Sequence, residues 1–159
     1  MKLYVSEKLF SIHNRYFIKD GYGNDVYEIS SRALSIGEKT TVSDMRGNQI
    51  AYIERELLHL APVYNAYINN TFAFRITKRF HLIKNEYNLS NGYHVKGDFL
   101  SLDFTISNEN NRTIASVDHK LFTIGDKYEI DIMDESQINI ILSIIVAITN
   151  DIDRKQRPN

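Results

Sequence analysis

The sequence predicts one all-β domain, a closed antiparallel β-barrel of about twelve strands around a single hydrophobic α-helix. Three observations predict it: a short pattern that recurs about every 22 residues, turn-forming dipeptides between alternating apolar segments, and one strongly apolar segment near the C-terminus. The chain has 159 residues, the usual size of one domain. We therefore place the domain at 1–153, its central helix at about 136–152 and a short polar tail at 154–159.

Composition excludes several classes of protein. Charged residues make up 25% of the chain and hydrophobic residues 43%, which are ordinary values for a folded domain. There is no cysteine, which excludes disulfides, zinc–thiolate sites, iron–sulfur clusters and thiol nucleophiles. The net charge of -1 gives no overall reason to bind nucleic acid. Because the N-terminal segment lacks the apolar run of a secretory signal, we expect a cytoplasmic protein, free or peripheral at the membrane.

The strands are predicted by a repeated string. Each copy has an apolar residue, then Ser, His or Thr, then Ile or Leu. Between the copies stand Asp-Gly, Gly-Asn, Asn-Gly and Asn-Asn pairs, which accept the positive φ of tight hairpin turns, and segments whose apolar residues alternate with the period of a strand. Each repeat therefore predicts a hairpin with the string on one strand, and closure of the sheet removes exposed edges. The first apolar residues of the copies are Phe10, Leu34, Leu58, Phe80, Leu100 and Phe122.

The helix is predicted by residues 137–152, which read QINIILSIIVAITNDI. Their apolar side chains cover nearly every side of a helix, which is typical of a helix buried all round. Asp134, Glu135 and Ser136 precede it, where a cap and favourable charges belong. The segment would be about 24 Å long, similar to the strands, whereas a bilayer span needs about 20 apolar residues. A barrel wider than about eight strands also has room for a helix. The alternative is a peripheral or membrane-anchoring helix.

Four segments and the hydrophobic helix form one combined pattern. The segments are KLYVSEKLFSIHNRYFIKD (2–20), GNQIAYIERELL (47–58), YHVKGDFLSLDFTI (93–106) and IASVDHKLFTIGDKYEIDI (114–132), which the helix follows. This pattern resembles the LURP-one-related (LOR) family, which is related to tubby C-terminal domains and phospholipid scramblases. The resemblance covers essentially the whole chain and implies a twelve-stranded barrel around a C-terminal hydrophobic helix. Tubby-like domains are associated with phosphoinositide binding and scramblase-like relatives with lipid movement, but the Cys-rich or Pro-rich extensions usual in scramblases do not occur here.

The strongest basic stretch is RITKRFHLIK, residues 75–84. Its basic side chains, interleaved with apolar ones, could hold an anionic headgroup on the outer face of a hairpin. Each Lys or Arg near an anionic surface contributes about 1 kcal/mol of binding free energy. The alternative is a solvated strand face whose charges discourage edge pairing. The candidate anion-binding residues are Arg75, Lys78, Arg79, His81 and Lys84.

Metal and nucleotide sites are weakly indicated. His59 and His81 share one repeat position and would both face outward if the leucines beside them face the core, but no third ligand is evident, and zinc needs three or four. The Gly-rich segment at 21–25 lacks the spacing and the following helix of a phosphate loop, so it predicts a hairpin turn.

Catalysis is also weakly indicated. The acidic residues at 131–135 stand near the helix start, where capping is favoured over acid–base chemistry.

The sequence therefore predicts a non-catalytic, tubby-like binding domain that recognises anionic phospholipid headgroups, of the phosphoinositide kind, at a basic barrel face. The alternative is a structural or regulatory module that binds another protein and has no role with lipid. An enzyme acting at the barrel rim is a third hypothesis. No cofactor, metal, nucleic acid partner or transmembrane span is expected. The sequence does not determine the ligand, the pathway or the oligomeric state.

Overall fold

The computed structural model of the chain describes residues 1–6, 15–32, 38–80, 85–120 and 127–156. Within them, strands pair with their chain neighbours in antiparallel order, and the last strand pairs with the first to close the barrel. The predicted closed barrel of about twelve antiparallel strands is confirmed. The strands are β1 (Lys2–Ser6), β2 (Arg15–Lys19), β3 (Asp25–Arg32), β4 (Lys39–Asp44), β5 (Gln49–Glu56), β6 (Val63–Ile68), β7 (Thr71–Phe80), β8 (Asn85–Leu89), β9 (His94–Asp98), β10 (Asp103–Ser107), β11 (Thr113–Lys120) and β12 (Lys127–Ile132).

Side chains alternate between the inside and the outside of the barrel along each strand. In β1, for example, Leu3 and Val5 are buried, whereas Lys2, Tyr4 and Ser6 face outward. This alternation follows from the two-residue period of a strand, and it gives the wall one apolar and one polar face. The barrel therefore has an apolar interior and an outer surface available for binding.

The connections after β2, β4, β6, β8 and β10 lie at one end of the barrel, which we call the turn end. Two of them have the same sequence pattern, Asp-x-x-Gly-Asn, at 20–24 and 44–48. In each, the first Asp carboxylate accepts backbone N–H groups from later residues of the turn, and the Gly adopts a φ near +85° to +88°. Only glycine adopts that φ at low cost, so the predicted hairpin turns are confirmed, including the one at 21–25.

The connections after β5 and β9 lie at the opposite end, which we call the loop end. The two copies of the repeated string at 57–60 and 99–102 are connections here, not strands. Leu58 and Leu60 are fully exposed. The prediction that these strings form strands is therefore wrong. The same apolar–polar–apolar triplet also occurs in connections, where its apolar side chains are exposed, as in Leu58 and Leu60, or buried, as in Leu102. The remaining copies lie wholly or partly outside the described residues.

The helix α1 (Ile138–Gln156) fills the barrel. It follows a 3₁₀ turn at Glu135–Gln137, which Asp134 caps by accepting a hydrogen bond from the backbone N–H of Ser136. Residues 141–149 are all buried, so that every side of the helix is covered. A helix lying on the outside of the barrel would expose one face, so the prediction of a core helix is confirmed.

The helix is also longer than predicted, and it continues into the segment 154–156 that we expected to be a polar tail. It starts at the turn end, where β12 finishes, and runs toward the loop end. Among the helices of the described residues, none has the combination of length and apolar character that crossing a bilayer requires.

A charge in the middle of α1 is expected to abolish folding. Ile144 has no exposed surface, so Ile144→Asp would bury a carboxylate with no partner, which costs several kcal/mol. We expect loss of soluble folded protein, measured by circular dichroism and gel filtration. Met133→Asp, at a half-exposed position just before the helix, is the control and should fold normally. A folded Ile144→Asp variant would contradict the core position of the helix.

Candidate functional site

The basic stretch at 75–84 does not form one basic face. On β7, Arg75 and Arg79 face outward, but Lys78 faces the interior together with Phe74 and Ile76. Only 3% of the surface of Lys78 is exposed, which corrects its predicted place on the outer face. The other two predicted residues, His81 and Lys84, lie outside the described residues. The structure thus brings Arg75 and Arg79 to one face and separates Lys78 from them.

Lys78 belongs to a buried polar cluster that holds the helix. Its ammonium donates a hydrogen bond to Asp151 Oδ2 of α1 at 2.5 Å, and the Tyr87 hydroxyl of β8 donates to the same oxygen at 2.7 Å. Burial, together with the charge of Asp151, raises the pKa of Tyr87 far above its ordinary value, so the hydroxyl stays a donor. Because all three side chains are buried and bonded to one another, we assign this cluster to structure and not to ligand binding.

A second polar contact joins the helix to another part of the wall. Asn150, next to Asp151 in the helix, donates a side-chain hydrogen bond to Thr40 of β4 at 2.8 Å, and the hydroxyl of Thr40 is 2.8 Å from that of Ser31 in β3. The first contact is made to β7 and β8 and the second to β4, which is three strands from β7 and four from β8 around the barrel. Together they fix both the rotation and the depth of the helix.

The outward side of β7 carries balanced charge. Arg75 donates to Glu56 of β5 and to Asn65 of β6, and His59 is hydrogen-bonded to the other oxygen of Glu56. The bond from Asn65, with those from His59 and Arg75, holds the pKa of Glu56 below its usual value, so the carboxylate is ionised and offsets Arg75.

Arg79, the second outward cation in the described part of β7, also has an acidic neighbour. It is exposed, and its cross-strand partner is Glu86 of β8. The anion-binding role of this face stays a prediction.

Metal ligands do not converge in the described part of the chain. No group of three or more His, Asp or Glu side chains there is arranged to hold a metal ion. His59 sits in the connection after β5 with Glu56 as its partner, and the second histidine of the proposed pair, His81, is among the residues not described.

A groove of about 470 Å³ lies on the outer face where β12, β1 and β2 meet. Tyr4 and Ser6 of β1 and Phe17 of β2 line it, since they stand at the outward positions of their strands. The turn at 20–23 forms its wall at the turn end, with Tyr22 almost fully exposed. In the described residues, β1 and β2 share a single register pair, whereas β1 and β12 share five. The groove therefore lies where the pairing between β1 and β2 is short.

Two lysines lie at opposite sides of the groove. Lys19 of β2 forms an ion pair with Asp25 and also donates to the carbonyl of Gly23. Lys127 of β12 is exposed and stands directly between Ser6 of β1 and Lys120 of β11 in the register. Lys120 and Lys127 are directly opposite each other in the β11–β12 register, so both place a cationic side chain at this end of the outer wall.

Glu129, an acidic residue beside the groove, is engaged by neighbouring side chains. Glu129 accepts a hydrogen bond from the Lys2 ammonium at 2.7 Å, and this bond, together with one from Tyr4, lowers the pKa of Glu129. Burial and the bond to Glu129 raise the pKa of Tyr4, so its hydroxyl stays protonated at neutral pH. The groove thus offers aromatic surface, hydroxyl groups and the ammonium of Lys127, while Lys19 is paired with Asp25, and this lining suits an anion attached to an organic moiety.

The groove was not predicted from the sequence. Lys120 ends β11 and Lys127 begins β12, and the register makes them cross-strand neighbours, although a repeated string that we had placed on a strand separates them in the sequence. Reading that string as a connection would have paired the two lysines from sequence alone.

The fold and the groove define a class of protein: a twelve-stranded barrel domain closed around its own C-terminal helix, with a groove on its outer wall. The family model described as LURP-one-related (LOR) matches residues 1–149, and the chain belongs to that family, as its sequence resemblance indicated.

The chain is also similar to two other proteins. The uncharacterized protein YxjI of Bacillus subtilis (strain 168) is 24% identical over 149 residues, which cover 93% of this chain and 91% of that protein. A protein of Arabidopsis thaliana, solved by X-ray crystallography, superposes with a TM-score of 0.65 at 13% identity, over 96% of this chain and 91% of the other. The second likeness shows the fold.

Substitutions in the buried ion pair between Lys78 and Asp151 test whether this pair positions the helix. Lys78→Met leaves Asp151 buried without its cation, and we expect a loss of about 3–5 kcal/mol in the free energy of unfolding. The double variant Lys78→Met/Asp151→Leu should recover most of this loss, because no charge is then stranded. Urea unfolding measures both. Lys96→Met, at an exposed position on β9, is the control and should change stability by less than about 0.5 kcal/mol. Equal losses in the single and double variants would show that the pair is not the cause.

Proposed function

We propose that this protein is a non-catalytic binding domain whose outer groove recognises an anionic, phosphate-bearing lipid headgroup. The observation that carries the proposal is the groove of about 470 Å³ with Lys19 and Lys127 at its sides and Lys120 beside Lys127. Its volume falls within the range of about 300–1,000 Å³ that is usual for small-molecule sites.

The chemistry of the lining favours a headgroup over a free inorganic anion. A small anion needs only the ammonium groups, whereas the aromatic rings of Tyr4, Phe17 and Tyr22 add surface for an organic moiety. The groove opens outward, so a headgroup can enter while its acyl chains remain in a bilayer. The association of tubby-like domains with phosphoinositides, which the family resemblance implies, supports the same choice.

The acidic groups at the groove are ionised and engaged in hydrogen bonds, which favours a binding role over catalysis. Glu129, beside the groove, is held ionised by Lys2 and Tyr4 and serves as an acceptor, which does not suit a general acid. Asp20 at the groove wall accepts hydrogen bonds from Tyr22 and Asn24, which lower its pKa and commit it to the turn. The carboxylates of the groove therefore shape the site and are not arranged for proton transfer.

Vesicle co-sedimentation tests the proposal. We expect the protein to bind phosphatidylcholine vesicles that contain phosphatidylserine or a phosphoinositide more tightly than vesicles of phosphatidylcholine alone, and less tightly at higher salt. Each cation near an anionic surface contributes about 1 kcal/mol, so the charge reversals Lys120→Glu and Lys127→Glu should each weaken binding about tenfold or more.

The control for these variants is Lys96→Glu, the same change of charge at an exposed position of β9, which should leave binding unchanged. Arg79→Glu separates the groove from the basic stretch predicted from sequence. If Arg79→Glu weakens binding and Lys127→Glu does not, the lipid site is on β7 and the groove is not the site. If no variant and no salt concentration changes binding, the alternative role as a protein-binding module without lipid is favoured.

A further inference from the structure

The connection between β5 and β6 presents leucines to solvent. We call residues 57–60, Leu-Leu-His-Leu, the leucine loop. Leu58 and Leu60 have 104% and 107% of their reference surface exposed, and Leu57 has 39%. Scattered single apolar residues are normal on a protein surface, but three leucines within four residues at a loop tip form a local apolar projection. None of the described contacts of the loop buries them.

The loop is held in its position by polar contacts at its base. Glu56, just before the loop, is bonded to His59 within the loop and to Arg75 and Asn65 of the neighbouring strands. Leu58 has a φ of +70°, a left-handed conformation that leucine adopts at some cost, and where glycine or asparagine is usual. With its side chain outside, Leu58 contributes no packing inside this domain that would offset the cost of that conformation.

We propose that the leucine loop inserts into the apolar layer of a lipid bilayer. Leucine is under-represented in the energetic centres of protein–protein interfaces, where Trp, Tyr and Arg dominate, whereas insertion into hydrocarbon needs only apolar surface. Glu56, a carboxylate at the base of the loop, is balanced by Arg75, so it adds no uncompensated negative charge toward an anionic surface.

The position of the loop agrees with this assignment. It lies at the loop end of the barrel, the same end at which Lys120 finishes β11 and Lys127 begins β12. The inference rests on the proposed function to the extent that both take a bilayer as the binding surface. It adds which end of the barrel faces that bilayer.

A tryptophan reporter tests the insertion directly, because the chain has no tryptophan of its own. In Leu58→Trp the new indole is the sole one, and we expect its emission to shift to the blue and to be quenched by bromine on the acyl chains of phosphatidylcholine/phosphatidylserine vesicles. Leu100→Trp is the matched control. Leu100 is exposed at the same end, but Asp98 and Asp103 flank it, so we expect no quenching there.

A removal variant completes the test. Leu58→Ser/Leu60→Ser should weaken binding to the same vesicles about tenfold or more, while its melting temperature stays unchanged because the lost side chains are exposed. Leu100→Ser should bind as the parent protein does.

The outcomes separate this inference from the proposed function. If Lys127→Glu weakens vesicle binding but the indole at position 58 remains unquenched, the groove binds lipid and the insertion is wrong. If the indole is quenched but Lys127→Glu binds normally, the loop inserts and the groove is not the headgroup site. If neither the parent protein nor any variant binds vesicles, both are wrong, and a protein that covers the loop takes the place of the bilayer.

Discussion

The interior of a twelve-stranded barrel has to be filled, and the rest of this structure depends on the helix that fills it. An eight-stranded barrel is filled by its own side chains, but a wider one leaves a central space. Here α1 occupies that space, and residues 141–149 are buried on every side. On the surface of the protein, a helix that is apolar on all sides would expose apolar side chains to water. Inside the barrel, all of its sides are buried against the strands. Since the helix completes the core, the outer face of the wall is left to carry function.

Polar contacts then decide how the helix sits. An apolar cylinder in an apolar tube has no preferred rotation, because hydrophobic burial is not directional. Lys78, Tyr87 and Asp151 on one side, and Asn150 with Thr40 on another, supply the direction. A buried ion pair adds little net stability, but stranding one of its charges is costly, which penalises a slipped or rotated helix. The fixed helix in turn holds β4, β7 and β8 in one arrangement.

Much of this fold was predictable from the sequence, because the signals are local. The turn at 20–24, the two-residue alternation and the apolar helix each lie within a few neighbouring residues. The site was not predictable in the same way. Lys78 lies an even number of residues from the buried Phe74 and Ile76, so the strand period puts it on the inner face. Its partner Asp151 is 73 residues away in the sequence, so the neighbouring residues alone indicated a charge in solvent. The groove likewise forms between β1, β2 and β12, the two ends of the strand order, where the pairing closes the barrel.

The order of elements along the chain has a consequence for how the protein is made. The innermost element, α1, follows all twelve strands and therefore leaves the ribosome after them. Until it emerges, the strands have no filling for their interior and the β1–β12 pairing has nothing to close around. The wall must remain open, with its apolar face accessible, until the helix has been synthesised. Nascent chains of this architecture thus pass through a stage in which exposed apolar surface makes them prone to aggregate.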